Sequence, residues 1–189
     1  MAVHLPSISI TEDFTSSDFD AVVVVSPDVQ TIPYEQVKNP LSAYLSVDKK
    51  GENGVFVVPC DLPAKKIIFS GTGNLKNDWD DVRNYAVAAK AGVKKAIDTG
   101  SKAPLLFFNV TKFPQADVVA ILGAFEAMYV PLEMREQVPE KAIKVSKLGI
   151  LADASKIGSK VDIAKALEAG RIVSRDIGGS DPERMAAPR

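Results

Sequence analysis

The stretch Ala21-Val22-Val23-Val24-Val25 decides the fold class, because an unbroken run of small and β-branched apolar residues predicts a strand buried on both faces. The same signature recurs in residues 55–58, 67–69 and 105–108. Residues 5–10 alternate apolar and polar side chains, and residues 143–151 form a weaker sixth candidate. The sequence therefore predicts about six strands, of which four have a buried character.

Helical spacing separates the later strands. Residues 82–97 place apolar side chains every third or fourth position, with Asp78 as the expected N-cap and Gly100 as the stop. Residues 115–128 are apolar over more than one stripe, which indicates burial against a second surface. A last helix is expected from about 160 to 177. Strands that alternate with helical crossovers predict an α/β fold, with a mixed or largely parallel sheet and helices on both faces.

Gly51-Glu52-Asn53-Gly54 is predicted to be a turn between two neighbouring strands. Residues 180–189, after the last helix, have no periodicity and suggest a connector. We therefore divide the chain into an α/β domain over residues 1–156 and a linker helix with a connector over residues 157–189, which would lead to a catalytic domain.

Composition excludes several functional classes. The 189 residues carry a net charge of −1 without clustered basic residues, which argues against nucleic-acid binding. Residues 1–9 do not resemble a signal peptide, and no run is long and apolar enough to cross a bilayer, so we expect a cytoplasmic protein. The only cysteine, Cys60, is expected to be a buried thiol at a strand end, and the only histidine is His4.

One motif suggests a ligand. Gly71-Thr72-Gly73 follows a predicted strand, and such a loop can present backbone amides to a phosphate. The third glycine of a dinucleotide-binding fingerprint is missing, because Lys76 stands in its place, and the next helix is expected only from Asp78. We therefore favour a tight turn and keep the three residues as weak cofactor-binding candidates.

No catalytic or metal-binding residues are predicted within the chain. Asp61, Asp78, Asp80 and Asp81 could be read as a metal or acid–base cluster, but capping and the helix dipole explain the crowded aspartates better. No metal-ligand spacing of histidine or cysteine occurs, and a serine nucleophile would lack a base. Trp79 is expected to be a core or interface anchor. Arg171, Arg175 and Asp176 are expected on a solvated or interdomain face.

The last helix carries a family resemblance. Residues 166–182 resemble the linker helix of leucyl (cytosol) aminopeptidases, in which an Arg-Asp-Leu-like triplet runs into a proline-containing turn. Here the triplet is Arg175-Asp176-Ile177 and the turn is Asp181-Pro182-Glu183, with Glu183 where the family usually has asparagine. This departure indicates a divergent branch. The early β-branched strand, the strand that ends in Gly-x-Gly and the alanine-rich helix are also similar to the family's amino-terminal domain.

The resemblance implies a macro-like amino-terminal domain that packs against its own catalytic domain and helps to build a homo-oligomer, a hexamer in that family. It also implies two divalent metal ions, zinc or manganese, and peptide substrates for the longer protein. The family's Asn-Thr-Asp-Ala-Glu-Gly-Arg motif does not occur in this chain, so no catalytic residue can be assigned. The leading hypothesis is a non-catalytic domain of an aminopeptidase. The alternative is a macro-like module that binds a nucleotide or ADP-ribose.

Overall fold

The computed structural model describes residues 5–185, which form a six-stranded sheet in the order β1-β6-β5-β2-β4-β3. Neighbouring strands are parallel except β3 and β4, which pair antiparallel at one edge. The sheet is therefore mixed, as predicted. The strands are β1 (Ser7–Thr11), β2 (Ala21–Ser26), β3 (Val55–Pro59), β4 (Lys66–Gly71), β5 (Pro104–Phe108) and β6 (Lys147–Leu151).

Helices cover both faces of this sheet, which confirms the predicted fold class. One apolar layer joins the sheet to the second, third and fifth helices, and the other joins it to the first helix and the neighbouring loops. Among the residues described, no helix has the length and apolar content needed to cross a membrane. The helices are α1 (Glu35–Val47), α2 (Arg83–Asp98), α3 (Ala116–Met128), α4 (Leu132–Gln137), α5 (Ala154–Gly179) and α6 (Pro182–Met185).

Strand β2 is the centre of the molecule, and its burial explains its composition. All six of its residues are buried, and it pairs with β4 on one side and β5 on the other. Its valines alternate between the two layers: Val23 and Val25 face α2 and α3, while Val22 and Val24 face α1. After β2 the chain continues to β3 and β4 on one side, and from β4 it crosses to β5 on the other side of β2. A crevice is therefore expected at the carboxyl ends of β2, β4 and β5.

Three local expectations were wrong. The second helix begins at Arg83, so Asp78 does not cap it; the Asp81 carboxylate accepts the Arg83 backbone N–H at 2.7 Å. Residues 51–54 do not join two strands, because a short 3-10 helix (Lys49–Asn53) there links α1 to β3. The last helix begins at Ala154 and not near residue 160, because the Asp153 side chain caps it by accepting the Ser155 N–H.

Helix α5 packs along the domain. Its buried face contacts α3 and β1 through apolar side chains, and Asp117 on α3 forms an ion pair with Lys160. The predicted boundary between residues 156 and 157 lies in the first turn of α5, and the division into domain and linker stays a prediction. The connector contains the short helix α6, and residues 186–189 lie outside the described part. The buried apolar residues of α5 are Ile157, Val161, Ala164 and Ile172.

Candidate functional site

A cleft of about 630 Å³ opens at the carboxyl ends of β2, β4 and β5, where the sheet topology predicts a crevice. Its size is that of a small-molecule site. The predicted candidates Gly71, Thr72 and Gly73 are not among the residues that line it, whereas the three residues that follow them are. The lining consists of Pro27, Asp28, Thr31, Asn53, Asn74, Leu75, Lys76, Thr111 and Lys112.

The glycine loop itself is a tight turn whose amides are largely engaged. The Gly71 N–H donates to the Gly54 carbonyl at 3.1 Å, and the Thr72 N–H donates to the Ser26 carbonyl at 3.2 Å. Gly73 has a φ of +76°, which glycine adopts without strain. Two of the amides that a phosphate would need are therefore already bonded within the chain. A ligand in the cleft would have to be held mainly by the neighbouring side chains.

Side chains at the base of the cleft form hydrogen bonds with one another and with the nearby backbone. The Asn109 amide donates to Thr31 Oγ1 at 2.7 Å, and Thr31 Oγ1 donates to the Asp28 carbonyl at 2.8 Å. Ser26, which is fully buried, donates to the same carbonyl at 2.8 Å. These hydroxyls therefore donate to the local backbone and hold the turn after β2 in place.

The charges of the cleft favour an anion. Lys76 and Lys112 contribute two cations, and Asp28 contributes one carboxylate, whose Oδ1 accepts the Gln30 N–H at 2.7 Å as the cap of a short 3-10 helix. Lys112 Nζ donates to the Leu75 carbonyl at 2.5 Å and keeps further N–H groups. Lys76 is exposed at the rim. The cleft can thus offer lysine and asparagine donors to an acidic small molecule.

The aspartates near β4 are bonded to different partners. Asp61 lies in the turn before β4. Asp80 lies near the opposite end of that strand, because the Asn84 side chain donates both to Asp80 Oδ1 and to the carbonyl of Thr72, the residue after β4. Asp81 pairs with Arg83 at 2.6 Å. Within residues 5–185, no group of three or more histidine, cysteine, aspartate or glutamate side chains has a geometry that could hold a metal ion. His4 lies outside the described residues.

Arg175 and Asp176 of α5 lie against their own domain, which corrects the expectation of a solvated face for these two residues, whereas the Arg171 side chain is 37% exposed. Asp176 is only 2% exposed, and it accepts hydrogen bonds from Arg135 at 2.5 Å and from the Tyr129 hydroxyl at 2.9 Å. Burial, and then this hydrogen bond, raise the pKa of Tyr129. Arg175 pairs at 2.8 Å with Glu168, which is fully buried. Nothing in the local sequence pattern indicated Glu168 as a buried partner.

A chain of alternating charges extends this contact across three helices. Arg171 on α5 pairs with Glu168 and, at 2.9 Å, with Glu126 on α3; Glu126 in turn pairs with Lys90 on α2 at 2.7 Å. The hydrogen bond from Lys90 lowers the pKa of Glu126. These residues hold the linker-like helix in place and are not arranged around a cavity that could receive a substrate.

Two further predicted residues have definite positions. Trp79 is 80% exposed in the loop before α2, so it is not a core residue, and its interpretation as an interface anchor stays a prediction. Cys60 follows β3 and is half-buried. Burial raises the pKa of its thiol, which lowers the fraction of reactive thiolate at neutral pH. Cys60 thus lies at a strand end as expected, but it is half-buried and not buried as predicted.

Comparisons with known proteins first define the class of domain. No protein-family model matches the chain. A macrodomain variant of Oceanobacillus iheyensis, whose structure is described as a complex with ADPR, has a TM-score of 0.53 and 12% identity, over 82% of this chain and 91% of that one. The fold therefore defines the chain as a macrodomain-like α/β domain.

Aminopeptidase structures share the same fold. A tomato leucine aminopeptidase variant has a TM-score of 0.69 and 16% identity, over 96% of this chain and 40% of that one. The bottromycin maturation enzyme BotP, in complex with Mn, has a TM-score of 0.61 and 14% identity, over 92% of this chain and 34% of that one. These similarities concern the fold alone, and they cover only part of each aminopeptidase-type structure.

A sequence relative places the chain more narrowly. The Caenorhabditis elegans protein named "Putative aminopeptidase W07G4.4" is 36% identical over 183 residues, which cover 90% of this chain and 35% of the relative. The chain thus spans about a third of the length of that protein. In sequence the chain is thus similar to part of an aminopeptidase-named protein, and in fold it is similar to part of a leucine aminopeptidase. The resemblance inferred from residues 166–182 is confirmed.

Proposed function

We propose that the chain is the non-catalytic amino-terminal domain of a longer, metal-dependent aminopeptidase, and that it serves assembly or regulation. The observation that carries this proposal is the 36% identity to an aminopeptidase-named protein of which the chain spans 35%. The longer protein would remove amino-terminal residues from peptides in the cytoplasm. Two divalent ions, zinc or manganese, would be bound by its catalytic domain, and the Mn in the BotP structure supports this part.

The same proposal assigns the partners of the domain. Its own catalytic domain and further copies of the whole protein, as a homo-oligomer of up to six subunits, are the expected contacts, whereas nucleic acid and membranes are not. The ion pairs that join α5 to α3 and α4 support a rigid connection to a following domain, because a helix held at several points along its length has a defined orientation. The chain would therefore orient the other parts of the protein and would supply no reactive groups.

An activity assay tests the proposal. The purified chain, with added zinc or manganese, is expected to release no product from an aminoacyl chromogenic substrate, because the described residues provide no metal-holding cluster. A commercial leucine aminopeptidase serves as the positive control under the same conditions. Turnover by the chain that a chelator abolishes and added metal restores would contradict the proposal.

The coding sequence downstream of Arg189 offers a second check. We expect it to encode a lysine-bearing strand and then the family's aspartate and glutamate motif. A stop codon directly after Arg189 would contradict a longer aminopeptidase and would leave a free-standing macrodomain-like protein.

A second candidate function is the binding of a nucleotide or ADP-ribose. The cleft at the carboxyl ends of the strands, with Lys76 and Lys112 at its wall, is the observation that favours it. A diphosphate would meet these two lysines, and the asparagines of the lining could recognise a sugar or base edge. The glycine loop would shape the crevice without donating all of its amides.

Calorimetric titration with ADP-ribose and common nucleotides tests this function. If it is right, Lys76→Ala should weaken binding roughly fivefold to tenfold, since it removes one charged contact to phosphate. Lys95→Ala, which removes an exposed charge from α2 far from the cleft, is the matched control and should change nothing. Absence of heat at millimolar ligand would exclude this function.

A further inference from the structure

We infer that the candidate cleft binds a short peptide with free ends, of which a dipeptide is the smallest. The peptide ammonium is held at Asp28, and the peptide carboxylate is held at Lys76 and Lys112. This ligand is a zwitterion, which distinguishes it from the nucleotide considered above. A role of such binding in regulating a peptidase rests on the proposed function. The binding itself is a property of this chain and requires no peptidase activity.

Charges of both signs line the cleft without neutralising one another. Asp28 lines it together with Lys76 and Lys112, yet within residues 5–185 neither lysine forms an ion pair with Asp28. Asp28 Oδ1 accepts the Gln30 N–H, and no described residue donates to Oδ2. The Asp28 carboxylate therefore restricts the ligand to an acidic molecule that also carries a cation. A molecule with one ammonium and one carboxylate meets both signs of charge at once.

The positive and negative charges lie on opposite walls of the cleft. The loops after β4 and β5 form one wall, because Lys112 Nζ donates to the carbonyl of Leu75, and Leu75 is buried in the apolar layer of α2 and α3. The turn after β2 forms the other wall, since its residues Val29 and Ile32 are buried in the layer of α1. Asp28 directly precedes Val29, so its carboxylate lies across the cleft from the lysines.

The size of the cleft suits a dipeptide better than a single amino acid. A volume of about 630 Å³ equals that of a cube with edges of about 9 Å. The ends of an extended dipeptide lie about 7 Å apart, whereas the two charged groups of one amino acid are separated by about half that distance. Asn53 and Asn74 also line the cleft, and a side-chain amide can both donate to and accept from a peptide unit.

Titration of the full chain with dialanine, followed by the amide NMR chemical shifts of the labelled protein, tests the inference. We expect a dissociation constant of about 1–10 mM, because exposed ion pairs are individually weak. The shifts should be confined to the residues that line the cleft. Two blocked probes separate the ends of the ligand: N-acetyl-dialanine lacks the ammonium, and dialanine amide lacks the carboxylate. Each should bind at least roughly threefold more weakly than dialanine.

Substitutions that remove one charge test the orientation of the peptide. Asp28→Asn should weaken dialanine binding at least roughly threefold but should not weaken the binding of N-acetyl-dialanine, which has no ammonium. Asparagine keeps the oxygen that accepts the Gln30 N–H, so the turn is retained. Lys76→Gln should weaken dialanine binding but not the binding of dialanine amide. Asp153→Asn is the matched control, because Asp153 caps α5 in the same way and does not line the cleft.

Three results would overturn the inference. They are the absence of shifts with dialanine at tens of millimolar, shifts with ADP-ribose but none with dialanine, and an equal loss of free and N-acetylated peptide binding in Asp28→Asn. The last result would show that Asp28 acts on the fold and not on the ammonium. Since no readout is peptidase activity, the proposed function can fail separately: dialanine binding by a chain whose gene stops after Arg189 would support this inference and contradict the longer aminopeptidase.

Discussion

Gly123 on α3 shows how a single missing side chain fixes the distance between two helices. A Cβ at this position would lie 2.2 Å from the Ala86 carbonyl oxygen and 2.7 Å from the Ala86 Cα. Both are backbone atoms of α2, which cannot rotate away as a side chain could. A methyl group at residue 123 therefore requires the helices to separate, and the apolar layer between them to loosen.

Gly123→Ala is expected to lower the free energy of unfolding by about 1–3 kcal/mol or more, as overpacking does, despite the better helix propensity of alanine. Urea unfolding followed by circular dichroism measures the change. Gly158→Ala is the matched control, because it adds the same methyl group to open space and should stabilise the chain by up to about 1 kcal/mol. Equal stability of the two variants would contradict the steric account.

Buried charges show what residue types alone cannot reveal. The sequence identified Arg175 and Asp176 as a family-like pair but placed them on an exposed or interdomain face. In the structure Asp176 binds Arg135 and Tyr129, which lie more than forty residues earlier in the chain. A single sequence without pairing information cannot show that two distant charges meet, so their burial could not be predicted.

At the scale of elements, the strands were the most predictable part of the chain. Runs such as Val22–Val25 can only be accommodated in a sheet covered on both sides, and β2 lies there. The sequence pattern did not predict helix α1, because Pro40 lies inside it and no side chain caps its first residue. Its burial comes from tertiary contacts of Val37 and Leu41, which local pattern does not display. Helix α4 is only six residues long and was missed for a similar reason.

Helix α5 has two faces in different environments. One face is held against its own domain by buried side chains and by ion pairs to α3 and α4, and the opposite face is apolar and exposed. The sequence pattern predicted only a modest apolar stripe, because it could not separate the residues that pack internally from those left outside. The three-dimensional burial of Ile172 and the exposure of Ile177 make that distinction.

For the whole molecule, the position of the candidate cleft was predictable but its chemistry was not. Gly71-Thr72-Gly73 indicated the correct end of the sheet, since ligands of open α/β sheets bind at the carboxyl ends of strands. The cleft is instead lined by the residues that follow, and by Thr31 and Thr111 from other loops. Which loops converge depends on the strand order, and the sequence predicted strands without giving their order.

The predicted boundary after residue 156 leads to a test of how the whole molecule is held together. If α5 were a separable linker, a chain of residues 1–156 would keep its stability. The structure instead buries Ile157, Val161 and Ile172 of α5 against the domain. Burial of each such side chain contributes about 1.5–3 kcal/mol, so their loss removes about 5 kcal/mol or more from a total of about 5–15 kcal/mol.

We therefore expect residues 1–156 to unfold at a much lower urea concentration than the full chain, and to bind a dye that reports exposed apolar surface. Val173→Ser in the full chain is the control, because Val173 lies on the exposed face of α5. The unfolding free energy of this variant should differ from that of the unchanged chain by no more than about 0.5 kcal/mol. Unchanged unfolding of the shortened chain would show that α5 is a linker that the domain does not need. A large loss would mean that the helix belongs to the domain's core, and that any domain attached after it is held by a part of this fold.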